Sequence, residues 1–265
     1  MLSALPADDT HFYSAEHHVV DYVGKSRAVF DEIQSRHSFI GGTEAEYIAY
    51  LTREDLPRGM WRWSDGAEVK AIAGMVVVSK KDRAQQRNIL MQCSANYMWC
   101  DVRNRQELGM RGGDSFCRLR VPSDVLAAAA CDQSNAFTHI STPRWMHGWC
   151  AGPPVIAARV WHVLPSTLRA KIDPASRVWP LYTRLAMGSS HSVFILMSIN
   201  IHCIGKCLTA NTRMAATEDG PPQAPTADFE DDASSGDDLD LDDAEWAARI
   251  LGRLGGIMNV CGGGR

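Results

Sequence analysis

The sequence predicts an α+β fold in which a small antiparallel sheet is flanked by helices, followed by a disordered acidic segment and a C-terminal helix. Three observations lead there. Apolar residues recur at helical spacing before residue 52 and give way to two short apolar runs between 73 and 91. Hydrophobic residues make up 45% and charged residues 22%, ordinary globular values that exclude wholesale disorder, collagen and a coiled-coil rod. Finally, 12 of the 31 acids fall between Glu218 and Glu245, where there is no Lys or Arg. The 265 residues correspond to one large domain or two small ones. Composition divides them into a helical region 1–71, a sheet-bearing body 72–216, an acidic linker 217–245 and a short amphipathic helix with its tail, 246–265.

Taken in order, Val19, Val20, Tyr22, Val23, Val29, Phe30 and Ile33 predict one helix over 15–35. A second helix is expected over 43–52, where Thr43 can cap and Glu46 stands at the third position of a capping box. Pro57, Gly59 and Gly66 mark a turn-rich passage around Trp61 and Trp63. The runs 73–79 and 87–91, joined across Lys80-Lys81-Asp82, read as a hairpin with a basic tip. Residues 102–120, rich in Arg and Gly, look like an extended loop, and 125–131 fits helix or strand equally. Pro153-Pro154 opens a helix that closes before Pro165, and 188–208 is a helix apolar nearly all round. Residues 217–243 have too few large apolar side chains to offset the entropy of ordering. Beyond them Trp246, Ile250, Leu251 and Leu254 share one helical face, stopped by Gly255-Gly256.

The eight cysteines are scattered without a CxxC pair, so they read as reduced core thiols. His202, Cys203 and Cys207 approach ligand spacing, but a structural zinc needs four convergent ligands. The longest apolar run, 193–201, is broken by Ser198 and Asn200 and is far short of the roughly 20 residues a spanning helix needs. These features predict a soluble, intracellular protein with no membrane partner; nucleus and cytoplasm are not distinguished, nor is an oligomeric state. Residues 1–216 carry 24 bases against 19 acids, a mildly basic body that permits a polyanionic partner.

Four local features stand in a particular order: the basic hairpin with Arg87 and Asn96 downstream, Cys131-Asp132-Gln133-Ser134-Asn135-Ala136-Phe137, the Pro-Pro segment ending at Leu164, and Leu185-Ala186-Met187-Gly188-Ser189-Ser190-His191. In this order the sequence resembles the reverse transcriptases of retroelements, over roughly residues 72 to 208. The resemblance implies the fingers and part of the palm of an RNA-directed DNA polymerase. It implies that Asp132 ligates magnesium, that Phe137 sits beneath the sugar and excludes a ribose 2′-hydroxyl, and that Lys80, Lys81 and Arg87 hold the incoming triphosphate. Gly188 would let the backbone approach template or nucleotide. An RNA or DNA template and primer would be the partner.

The sequence also departs from that family. Two-metal nucleotidyl transfer needs carboxylates bridging two ions roughly 3.5 to 4 Å apart, and the aromatic-x-Asp-Asp hairpin that supplies the second set is missing after Leu208. Ala186 replaces the expected Pro, and Arg83 the expected Gly. The expectation is a polymerase relic with an incomplete active site. The alternative is a non-catalytic nucleic-acid-binding or interaction protein. In that reading Lys80, Lys81, Arg103, Arg105, Arg111, Arg118 and Arg120, interleaved with Tyr97, Trp99 and Phe116, form a single-strand surface. Trp145, Trp149, Trp161 and Trp179 read as packing anchors. Gly188-Ser189-Ser190-His191-Ser192 also invites comparison with a serine hydrolase, but Gly-x-Ser-x-Gly fails at Ser192.

Overall fold

A computed structural model describes residues 1–53, 59–79, 86–102, 133 and 135–215, with 79, 86, 87 and 208–215 described through their backbone alone. Lys80, Lys81, Asp132, the loop after 102, the segment 125–131, the acidic linker and the C-terminal helix therefore lie outside the described residues.

The N-terminal region is helical but broken, as α1 (Ala7–Ser14), α2 (Glu16–Val19) and α3 (Arg27–His37). A single helix over 15–35 fails because the backbone of 19–21 is taken by another strand-like segment. The Cys100 N–H donates to Val19 O at 2.8 Å and the Asp21 N–H to Met98 O at 2.8 Å, with Val20 bridged to Trp99. The Asp21 carboxylate then accepts the Gly24 N–H at 2.6 Å, closing a turn ahead of α3. The next helix, α4 (Glu44–Leu51), carries the expected capping box: Thr43 Oγ1 accepts from Glu46 N at 3.2 Å, and the Thr43 N–H donates to Glu46 Oε2 at 2.8 Å.

The expected hairpin forms between β3 (Gly74–Ser79) and β4 (Gln86–Met91), with Val78 opposite Arg87 and Gly74 opposite Met91. Its sheet is completed by β1 (Ile40–Gly41), which runs parallel to β3, so this sheet is mixed where an antiparallel one was expected. A second three-stranded sheet is fully antiparallel, in the order β2 (Trp61–Ser64), β6 (Arg177–Tyr182), β5 (Val155–Ile156). Two expectations are corrected by it. The passage around Trp61 and Trp63 is a strand, because Trp61 to Ser64 pair with Tyr182 to Trp179. The segment after Pro153-Pro154 begins as β5, paired to Arg177 and Val178, and only then turns into α7 (Ala157–Val160). The residue before a proline is kept extended, so Gly152 and Pro153 lead into the strand in extended backbone.

Ala151, fully buried, joins the sheets. It bridges Ile72, just ahead of β3, on one side and Leu181 of β6 on the other, and its carbonyl accepts the Ala73 N–H at 2.7 Å. The core packed around this junction includes Tyr47, Met75, Leu90, Val155, Val160, Val178 and Tyr182. Short helices α5 (Cys93–Met98), α6 (Arg144–His147) and α8 (Ser166–Arg169) connect the strands.

The chain divides into two compact units, one of Met1–Met110 with Gln133–Met197 and one of Arg111–Asp132 with Ser198–Arg265. The long helix α9 (Ser192–Ala215) runs from the first into the second. It is apolar nearly all round, a pattern that predicts burial on every side, but it is not buried all round. Val193, Ile201 and Ile204 are exposed and fall on one face at about 100° per residue, while Phe194, Ile195, Ile199 and Cys203 are buried. Among the described residues no helix is long and apolar enough to cross a membrane.

Candidate functional site

Three of the segments singled out by sequence meet in the first unit. β4 carries Arg87 and ends at Leu90 and Met91. The turn Ala186 to His191 packs on that end so closely that a Cβ at Gly188 would stand 2.0 Å from the Leu90 carbonyl oxygen. Glycine is therefore demanded here by the protein's own packing, since no side chain fits at that distance. Arg87 lies three residues up the strand, about 10 Å away along it.

Asn96, from α5, fixes the turn from its other side. Its Nδ2 donates to Gly188 O at 2.9 Å and its Oδ1 accepts the Ser190 N–H at 2.8 Å, so one amide clamps two backbone groups of one turn. Ser192 at the start of α9 donates to Ala186 O at 2.5 Å. The third segment enters through 140–142, which pairs with 183–185. Leu185 N–H donates to Ile140 O and Thr142 N–H to Thr183 O, both at 2.9 Å, with Arg184 Nη1 on Ser141 Oγ at 2.6 Å. Phe137, partly buried, sits in the 3₁₀ turn Ala136–His139 that leads into this pairing, after Asn135 in the left-handed region at φ 52°. Asp132, Lys80 and Lys81 cannot be placed relative to this seam because they lie outside the described residues.

His191 anchors the same turn from below. It is fully buried and its ring takes both of its hydrogen bonds from other elements. The Cys100 carbonyl, 2.9 Å from Nε2, can only accept, so Nε2 carries the proton and Nδ1 accepts from the Tyr13 hydroxyl at 2.8 Å. Burial, with Asp9 and Cys100 adding to it, pushes the Tyr13 phenol well above its usual value and keeps it a donor. Ring contacts from Phe12, Tyr13 and Trp99 enclose the imidazole. Both ring nitrogens of His191 are thus engaged by Tyr13 and the Cys100 carbonyl rather than by a neighbouring serine hydroxyl, so the hydrolase comparison fails on geometry at this residue. Trp99 is buried at 3% exposure and does not contribute a stacking face to a single-strand surface. Trp149 is buried in the core as expected, while Trp145 is only partly buried, its Nε1 donating to Tyr13 O at 3.0 Å.

A second polar group of side chains lies on the outer side of β2. Arg62 donates two parallel hydrogen bonds to Glu68, at 2.8 and 2.5 Å, and its Nε donates to His147 Nδ1 at 3.0 Å. His147 Nε2 donates to Thr142 O at 3.1 Å, which fixes the neutral tautomer. Arg144 stands 3.5 Å from the same Glu68 carboxylate. The Arg62 hydrogen bonds hold the Glu68 carboxyl down at about 2, and burial lowers the His147 imidazole from its ordinary value.

A magnesium ion, implied by the resemblance, would need Asp132 together with further carboxylates. Among the described residues no three His, Cys, Asp or Glu side chains converge to hold an ion. Asp132 itself lies outside those residues, so no chemical step through a metal follows from them. Nothing in the spacing of the sequence signals the Tyr13–His191 pair, 178 residues apart, or the hold of Asn96 on the turn. No model of a known protein family matches the chain, and no curated protein matches it.

Proposed function

We propose that the chain is reverse-transcriptase-like, of the kind that retroelements use for nucleotidyl transfer on an RNA template. It binds template or primer through the basic β3–β4 hairpin and does not extend a primer alone, because the second carboxylate motif is missing. The observation that carries this reading is that the Leu185-to-Gly188 turn meets the end of the hairpin strand at Leu90 and, through Leu185 and Ile140, the segment that follows Phe137. A polymerase needs these three segments side by side, and their separation in sequence gives no local reason for them to meet.

The test is binding of single-stranded RNA or DNA to the full chain as a function of salt. Released counterions make log affinity fall with log salt, by about 0.7 per phosphate contact on a single strand. Replacing Lys80, Lys81 and Arg87 together by Ala is expected to flatten that slope; an unchanged slope overturns the assignment of the hairpin. In primer extension with magnesium or manganese no product is expected, since one carboxylate cannot hold two ions for in-line displacement. Template-dependent incorporation abolished by Asp132→Ala would show instead that another acid of the chain completes the site.

A further inference from the structure

A cavity of about 300 Å³ opens in the first unit among Tyr22, Lys25, Arg27, Phe30, Lys70 and Trp149. That volume lies at the small end of ligand sites, which run from about 300 to 1,000 Å³. We propose that it binds one nucleotide unit of a single-stranded nucleic acid, the base against the aromatic wall and the phosphate among Lys25, Arg27 and Lys70. The inference rests on the reading of the chain as a nucleic-acid-binding protein and adds a site that the hairpin does not supply.

The wall is preset by one carboxylate. Glu16 Oε1 accepts from Trp149 Nε1 at 3.0 Å and from the Tyr22 hydroxyl, and it faces Lys70 Nζ at 3.6 Å. Phe30 and Trp149 are buried and meet edge to face at 6.3 Å, forming a rigid floor. Tyr22, by contrast, is 52% exposed and lines the cavity, so it is accessible to a base. The cations are also held. The Lys25 ammonium stands 5.4 Å over the Tyr97 ring, and the Arg27 guanidinium stands 4.7 Å over Phe30 while pairing with Asp31 at 3.0 Å.

Charge selects the ligand. Lys25, Arg27 and Lys70 line the cavity, with Arg27 paired to Asp31 and Lys70 to Glu16, and α3 begins there with no acid in its first turn and no side-chain cap on Ser26. A purely apolar ligand would leave the cations of the lining unused. A bare phosphate would leave the aromatic wall unused. An aromatic ring joined to a phosphate satisfies both, as stacking platforms and basic grooves do for single strands.

The experiment is fluorescence anisotropy of the full chain with a fluorescein-labelled twelve-nucleotide oligothymidylate, with thymidine monophosphate titrated calorimetrically beside it. Tyr22→Ala is expected to weaken oligonucleotide binding about fivefold or more, and Tyr22→Phe, which keeps the ring, to leave it unchanged. Replacing Lys25, Arg27 and Lys70 by Gln is expected to flatten the salt slope by about 0.7 for each phosphate contact removed. Arg27 and Lys70 are 74% and 47% exposed at the side chain, so these changes leave the core intact. Oligonucleotide binding that ignores Tyr22→Ala and the Gln variant but responds to the Lys80, Lys81 and Arg87 variant overturns the cavity site and leaves the broader reading standing. No oligonucleotide binding by the full chain overturns both. Thymidine monophosphate binding lost in Tyr22→Ala, with the oligonucleotide unaffected, overturns the strand as ligand.

Discussion

Arg62 couples the response of two titratable side chains to acid. The Glu68 carboxyl sits at about 2 in the folded chain against an ordinary 4.5, chiefly because Arg62 donates to both of its oxygens. His147 is lowered by burial, and its Nδ1 accepts from the Arg62 guanidinium, so a proton there would bring two cations together. In both cases the unfolded chain takes up protons before the folded chain does, so stability rises with pH across each window. The His147 contribution is complete above about pH 6.5 and is lost as pH falls below it. The Glu68 contribution is complete above 4.5 and is lost as pH falls through about 2. Urea midpoints measured across pH are expected to decline in these two windows. Glu68→Gln should lower stability at neutral pH and remove the acidic decline; His147→Gln should remove the upper one. A profile that neither substitution alters would mean that the Arg62 contacts are not maintained in solution.

Between elements, the contact of greatest consequence is the turn 186–191 on the end of β4. A methyl group at 188 has no room beside the Leu90 carbonyl, so Gly188→Ala must push the turn off the strand and strain the Asn96 clamp. Forced overpacking of this kind costs about 1–3 kcal/mol, measurable by urea denaturation; a change near zero would show that the turn and strand are not docked. Elements stabilised by near neighbours were legible in the sequence. Thr43 and Glu46 cap α4 within three residues, and the β3–β4 hairpin announces itself by two apolar runs about a short basic turn. β2 and β5 were not legible, because their partner β6 is distant along the chain and neither segment has a local signal for pairing. The site divides the same way. Gly188 was visible as a special position, but the reason for it, Leu90, lies in another element, and the ring that orders the turn, His191, depends on Tyr13 at the other end of the chain.

Over the whole molecule, charge is unevenly distributed. The net charge of −4 combines a basic stretch before residue 217 with a strip that holds 12 acids and no Lys or Arg up to Glu245. A polyanion on the same chain competes with phosphates for Lys and Arg, most strongly where salt does not screen it. Deleting 217–245 is expected to tighten oligonucleotide binding at low salt and to change it little at high salt; equal affinity at both would make the strip a solubilising tether only.

Ala151 has a mechanical consequence. Because its backbone bridges Ile72 on one side and Leu181 on the other, residue 151 links the segment just ahead of β3 in one sheet to β6 in the other. The β3–β4 pair and the strand that leads toward the Gly188 turn are thus tied through the backbone at residue 151. A load applied to β3 would therefore pass to β6 through the backbone bridges at that one residue, without relying on any side chain to flex in between.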